Sequence, residues 1–264
     1  MNEPLYIIKI GGNVLDNEAV LQMFLADFAI IKGLKILVHG GGKIATKLGQ
    51  QLGIEPNFIN GRRITDNGTI NLVTMVYGGL VNKQLVASLQ QLGCNAIGLT
   101  GADANIIPAA KRPVKETDFG WVGDVNERDI PAPTLQLFLN NGLVPVLAPL
   151  THDQQGHMLN TNADTIASAV AVALSAIYTT RLIYCFEKKG VLEDVNNEAS
   201  VIPLINQQSY QSLLADGKLF DGILPKLHNA FKAINAGVHE VLIGDAKDIL
   251  QNTTAQTNGT LIKQ

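Results

Sequence analysis

Short, unbroken apolar runs recur along the chain, and most are followed by a stretch with helical periodicity. The runs are Leu5–Ile10, Lys35–His39, Ala96–Leu99, Val144–Leu147, Leu182–Phe186 and Glu240–Ile243. Helical patterns occupy Ala19–Ile31, Lys43–Leu52, Thr69–Leu92, Pro131–Asn141, Asp164–Ala173, Gln207–Asp216 and Ile223–Ala236. Strands without polar alternation are what a parallel sheet covered on both faces demands. Alternation of strand and helix then implies an α/β fold built from right-handed crossovers. One stretch breaks the rhythm: Ile106 to Val125 holds Pro108, Pro113, Gly120 and Gly123 and predicts an inserted β-hairpin region. A seam near Ile177–Arg181, after an Ala-rich helix, divides the chain into lobes 1–178 and 179–264.

Composition narrows the function classes. With 264 residues, 46% of them apolar, and a net charge of −3, the chain has a core to fill and is far from the disordered regime. A pI near 5.9 gives no basic footprint for nucleic acid. The longest apolar stretch, Ile166 to Ile177, is Ser-interrupted and too short for a bilayer, so no membrane partner is expected. Met1 to Tyr6 lead straight into a strand with no signal-peptide pattern, which predicts a cytoplasmic protein. Cys94 and Cys185 have no metal-ligand spacing and read as buried thiols, so no protein-held metal is expected.

Two successive strands end in glycine, at Ile10-Gly11-Gly12 and His39-Gly40-Gly41-Gly42, and each turn feeds a helix. Bare glycine at that junction lets backbone approach an anion, and the helix start directs free N–H groups at it. Ligands of open parallel sheets bind at this carboxyl edge. Together the turns predict a phosphate or carboxylate site. Gly40 to Ala45 also fits the loose dinucleotide fingerprint. The acidic strand end that fingerprint needs is missing, because Pro56 to Arg63 ends basic. A Walker phosphate loop, a serine-hydrolase elbow and a zinc-protease motif are all absent from the sequence.

Six segments in order carry a resemblance. They are Ile8-Lys9-Ile10-Gly11-Gly12, Val38-His39-Gly40-Gly41-Gly42, Asn60-Gly61-Arg62-Arg63-Ile64-Thr65, Asn82-Lys83, Asn160-Thr161-Asn162-Ala163-Asp164 and Asp221-Gly222-Ile223-Leu224-Pro225-Lys226. The set resembles the amino-acid-kinase family, in its branch acting on N-acylated glutamate. The resemblance implies a three-layer α/β/α sandwich with a mainly parallel central sheet and an inserted hairpin region. It implies transfer of the γ-phosphoryl of ATP to the side-chain carboxylate of N-acetyl-L-glutamate or another N-acylglutamate, in arginine biosynthesis. Mg²⁺ would come bound through the nucleotide.

The resemblance assigns roles residue by residue. Lys9 and Lys226 match the two catalytic lysines, and Asp164 matches the carboxylate that orients them. Gly41, Gly42, Arg63 and Asn160 match the acceptor site, with arginine suited to a planar carboxylate. Gly11, Gly12, Glu187 and Gly190 match nucleotide-side positions. Here Glu187-Lys188-Lys189 departs from the family's usual Asp-containing turn, and its lysines either line the phosphate path or are solvated. Asp164 could also be a plain helix cap, and His39 reads as a packed strand-end histidine. The alternatives are another member with a different carboxylate or phosphate acceptor, and a non-catalytic amino-acid sensor of the same fold. Arginine-inhibited members carry a helix ahead of the first strand that joins dimers into a ring of six. Met1 to Pro4 are too few for such a helix. The expectation is a homodimer that arginine does not inhibit, paired through Thr69–Leu92 by Val73, Val76, Leu80 and Val81.

Overall fold

The computed structural model describes residues 3–59, 61–215, 219 and 223–264. Met1, Asn2, Asn60, Asp216, Asp221 and Gly222, which figure in the sequence expectations, lie outside the described residues.

A single sheet of eight strands forms the middle layer. Its members are β1 (Pro4–Ile10), β2 (Leu34–His39), β3 (Ala96–Leu99), β4 (Val144–Leu147), β5 (Thr179–Phe186), β6 (Leu204–Ile205), β7 (Glu240–Asp245) and β8 (Thr260–Ile262). In space they run β6-β8-β7-β5-β1-β2-β4-β3. All pairs are parallel except β7 with β8, which is antiparallel. The predicted strands are all present. The short strands β6, at the edge, and β8, beside it, were not expected, because two and three residues are too few to leave a periodic signal.

The longer helices among the described residues are α1 (Glu18–Ile30), α2 (Gly42–Gln51), α3 (residues 67–91), α4 (Ala132–Asn140), α5 (Ala163–Ser175), α6 (Gln207–Ala215) and α7 (Leu224–Asn235). Successive residues of a strand point to opposite faces, and the core divides accordingly. Ile7, Ile36 and Leu182 pack with Ile166 and Val170 of α5 and with Leu227 and Ala230 of α7. Ile8, Leu37 and Ile183 pack with Phe24 and Phe28 of α1 and with Leu85 and Leu89 of α3. This is the three-layer sandwich. Each fully buried Leu, Ile or Phe contributes about 1.5–3 kcal/mol.

Three departures matter for the site. The expected helix Thr69–Leu92 is α-helical over Asn67–Val73, π-helical over Thr74–Val81 and α-helical again over Asn82–Gln91. Its proposed interface stripe is mostly internal: Val73, Val76 and Val81 are buried in the protomer's own core, while Leu80 is 41% exposed. The predicted insertion forms the hairpin Ala110–Lys111/Gly123–Asp124. Two further hairpins, Phe58–Ile59/Arg62–Arg63 and Leu150–His152/Met158–Asn160, were not predicted.

Candidate functional site

Because β1 and β2 are parallel neighbours, their glycine turns open on the same edge of the sheet. At Gly41 φ is +148°, and a Cβ there would stand 2.9 Å from Tyr77 Cδ1, so a bare backbone is required. A Cβ on Gly11 would come within 3.3 Å of Lys9 Nζ. Both turns border one cavity of about 1010 Å³, at the upper end of ligand-site sizes. Lys9, Lys43, Lys47, Arg62, Arg63, Arg112, Lys226 and Lys232 line it, against Asp124 and Asp164 as the acids. In a chain of net charge −3, that concentration of cations draws anionic ligands to one place.

Lys9 and Asp164 meet at its floor. Lys9 lies on β1 between Ile8 and Ile10, and strand alternation turns it with Ile7 toward the α5 layer. Its Nζ is 2.7 Å from Asp164 Oδ1. Asp164 is the second residue of α5, whose N-terminal end favours a carboxylate. The cap is Asn162 instead, whose Oδ1 accepts the N–H of Asp164 at 2.8 Å and of Thr165 at 3.1 Å. Asp164 is thereby released from capping and free to hold Lys9.

Lys226 enters from the first turn of α7, with Nζ 4.7 Å from the Phe186 ring centroid. Burial pushes its pKa below the ordinary lysine value; Asp164 pulls it back up, Lys9 pushes it down, and Glu187 raises it. Both lysines therefore share the field of one carboxylate, leaving surplus positive charge for an anion.

Arg63 is buried, and its Nη2 donates to Gly42 O at 3.0 Å and to Thr46 Oγ1 at 2.7 Å. Its guanidinium stacks 4.7 Å from the Phe58 ring across the short hairpin. Opposite, Asn160 donates Nδ2–H to Thr65 Oγ1 at 3.0 Å. The inserted hairpin completes the wall, where Arg112 Nε donates to Asp124 Oδ1 at 3.0 Å. Among the described residues no group of three His, Cys, Asp or Glu stands together.

The amino acid kinase family profile matches residues 4–245. The chain belongs to that family. It is 56% identical over 264 residues, the whole of both chains, to the acetylglutamate kinase of Bacteroides thetaiotaomicron. A solved structure of smu.665 from Streptococcus mutans is similar at a TM-score of 0.73 with 31% identity, covering 98% of each chain. The fold is also that of N-acetylglutamate synthase from Neisseria gonorrhoeae, at a TM-score of 0.82 and 22% identity. This chain covers 59% of the synthase chain, and 98% of its own length takes part.

The structure brings Lys9, Gly11, Gly12, Gly41, Gly42, Arg63, Asn160, Asp164 and Lys226 to one cavity. Glu187 and Gly190 are outside its lining. Glu187 is exposed at the end of β5. Gly190 is buried, and a Cβ there would meet Thr260 Oγ1 at 2.6 Å, so packing on β8 alone requires a glycine. Lys188 pairs with Glu198 at 3.4 Å and Lys189 is exposed, so neither lines the cavity. Sequence reasoning missed Tyr77, Arg112 and Asp124. The last two sit in the Pro- and Gly-broken insertion, where no periodicity marks which side chains turn inward.

Proposed function

We propose that this chain catalyses ATP-dependent phosphorylation of the side-chain carboxylate of an N-acylated glutamate, N-acetyl-L-glutamate first among them, in arginine biosynthesis. The observation that carries the proposal is the Lys9–Asp164 pair at 2.7 Å in the cavity that Lys226 also lines. Phosphoryl transfer asks for positioning and for cancellation of charge on the moving group and its flanking oxygens. Lysines serve as compact point charges for a migrating charge. Asp164 holds Lys9 in place from the α5 side, and its field raises the pKa of Lys226 against the pull of burial. Arg63, fixed by Gly42 O and Thr46 Oγ1, offers its remaining N–H groups to the acceptor's α-carboxylate. Asn160 spends its amide N–H on Thr65 and turns Oδ1, an acceptor, to the acylamino N–H.

Lobe 1–178 supplies these acceptor contacts, while α7 and the end of β5, with Glu187, face the nucleotide. Asp164 is committed to Lys9, so the residues present suit Mg²⁺ carried on the nucleotide phosphates, where it would neutralise their charge. Buried, unpaired Cys94 and Cys185 fit a reducing cytoplasm, and no helix of the described residues is long and apolar enough to cross a membrane. For assembly we keep a homodimer through α3, carried by exposed Met75 and Leu80. Light scattering on wild type and Leu80→Glu checks it: a dimer mass lost in the variant supports it, and a wild-type monomer overturns it.

A hydroxylamine trap with ATP, Mg²⁺ and a panel of free and N-acylated acidic amino acids tests the reaction. Hydroxamate from N-acylglutamates alone supports the reading. Product from free glutamate transfers it to another acceptor, and none from any acceptor points to a sensor.

A further inference from the structure

Beneath the Gly40–Gly42 turn runs a buried polar chain that the chemistry above leaves unused. His39 closes β2 with no exposed surface, and Asn82 is 1% exposed. His39 Nδ1 lies 2.7 Å from the Gly40 carbonyl oxygen, which can only accept, so Nδ1 carries a proton. Burial keeps the ring neutral. Nε2 then holds a lone pair, and Asn82 Nδ2 donates to it at 3.1 Å. The amide's other hydrogen goes to Val146 O at 2.9 Å. Asn82 Oδ1 accepts from Lys83 Nζ at 3.1 Å, and Lys83 also donates to Gly98 O at 2.9 Å. The chain thus runs from β3 and β4 through α3 to the carbonyl of the first turn glycine.

The π segment is what lets α3 reach this turn twice. Asn82 N–H bonds back to the Tyr77 carbonyl, five residues earlier. In an α-helix, residues five apart point about 140° away from each other at 3.6 residues per turn. The wider π turn brings them back toward one face. Tyr77 accordingly covers Gly41 while Asn82 grips His39 beside Gly40.

We infer that His39, oriented by Asn82, is a positioning residue for phosphoryl transfer: it pins the Gly40 carbonyl and so aims the Gly41 N–H at the acceptor's anion. In a trans peptide the C=O and the following N–H point opposite ways, so fixing one fixes the other. An oriented backbone donor contributes to stabilising developing negative charge without reorganising at the moment of reaction. This inference rests on the function proposed above.

The test compares two replacements. His39→Phe keeps the ring and loses both nitrogens; His39→Asn is smaller but keeps an N–H at the Nδ1 position. Positioning predicts a fall of about tenfold or more in acceptor kcat/KM for His39→Phe, with the ATP KM within about twofold, and recovery of most of that loss in His39→Asn. A packing role predicts the reverse order, and that order, or a fully active His39→Phe, would overturn the inference. If His39→Phe does not fold, Asn82→Leu takes its place, with the same acceptor-side loss expected. A substrate-free measurement separates this inference from the function itself. Nitrogen NMR at pH 7 should find the His39 proton on Nδ1, and the Gly41 amide signal should shift in His39→Phe and return in His39→Asn. A proton on Nε2, or an unmoved Gly41 amide, overturns the positioning role even in an active kinase. A wild type inactive on every acylglutamate overturns the functional reading, while the Gly41 signal still decides whether His39 aims this amide.

Discussion

Lys9 Nζ stands 2.7 Å from Asp164 Oδ1, tying the end of a central strand to the first turn of the helix above it. The two residues are 155 positions apart by their numbers, so this contact exists only once the sheet has assembled. A strand lysine need not be functional: Lys35 is the more buried of the two, yet its Nζ donates to Phe28 O and Ala29 O at 2.8 Å and to Ile31 O at 2.9 Å, closing the end of α1. Lys9 has a carboxylate partner at a cavity instead.

Replacing Lys9 or Lys226 by Ala should therefore lower kcat on the order of 10²-fold or more, with a much smaller change in KM. Steady-state kinetics with N-acetyl-L-glutamate and ATP check it. A variant that keeps near-native kcat removes that lysine from the transition state.

Arg63→Ala should raise the acceptor KM by about tenfold or more and leave the ATP KM nearly unchanged, because its bonds organise Gly42 and Thr46 in what is proposed as the acceptor half of the cavity. Equal effects on both substrates would place Arg63 elsewhere.

Much of this was legible in the chain. Parallel strands buried on both faces leave unbroken apolar runs, so the six longest strands and the α/β class follow from pattern, while the three-layer sandwich came from the family resemblance. Lys9 and the two glycine turns stand out because charge and bare backbone are costly in a strand run. The π winding of Thr74–Val81 was hidden, since Val73, Val76 and Val81 fit an ordinary amphipathic helix just as well. Asn162 and Asp164 could not be told apart as caps, because either side chain at a helix start accepts backbone N–H groups. Arg112 and Asp124 were invisible for want of any period in their hairpin.

In the proposed transfer Lys226 must be protonated to balance a phosphoryl group, and burial lowers its pKa. Acceptor kcat/KM should thus decline as pH rises, beginning below the ordinary lysine range. Asp164→Asn removes a partner that raises the pKa and should move that limb to lower pH. Lys226→Arg, which stays charged, should lose the limb. A wild-type profile flat up to the ordinary lysine range would contradict this.

Burial lowers the His39 pKa to about 4 from an ordinary 6.5, with the Gly40 bond opposing the shift and Lys83 adding to it. Between those values the unfolded chain takes up a proton that the folded chain refuses. This contribution to stability is whole above pH 6.5 and is lost as pH falls to about 4, amounting to about 3 kcal/mol. Urea unfolding of wild type and His39→Asn across that window should show the slope in wild type and its loss in the variant. Parallel slopes would mean His39 titrates normally.

The proposed reaction transfers phosphoryl to a side-chain carboxylate under the two lysines. Phosphorus NMR of wild type and Lys9→Ala, each with ATP, Mg²⁺ and N-acetyl-L-glutamate, follows the transferred group directly. An acyl-phosphate signal growing with ADP is expected in wild type, and neither in Lys9→Ala beyond a rate on the order of 10²-fold lower. Inorganic phosphate as the sole product in wild type, or an equal acyl-phosphate rate in Lys9→Ala, would contradict it.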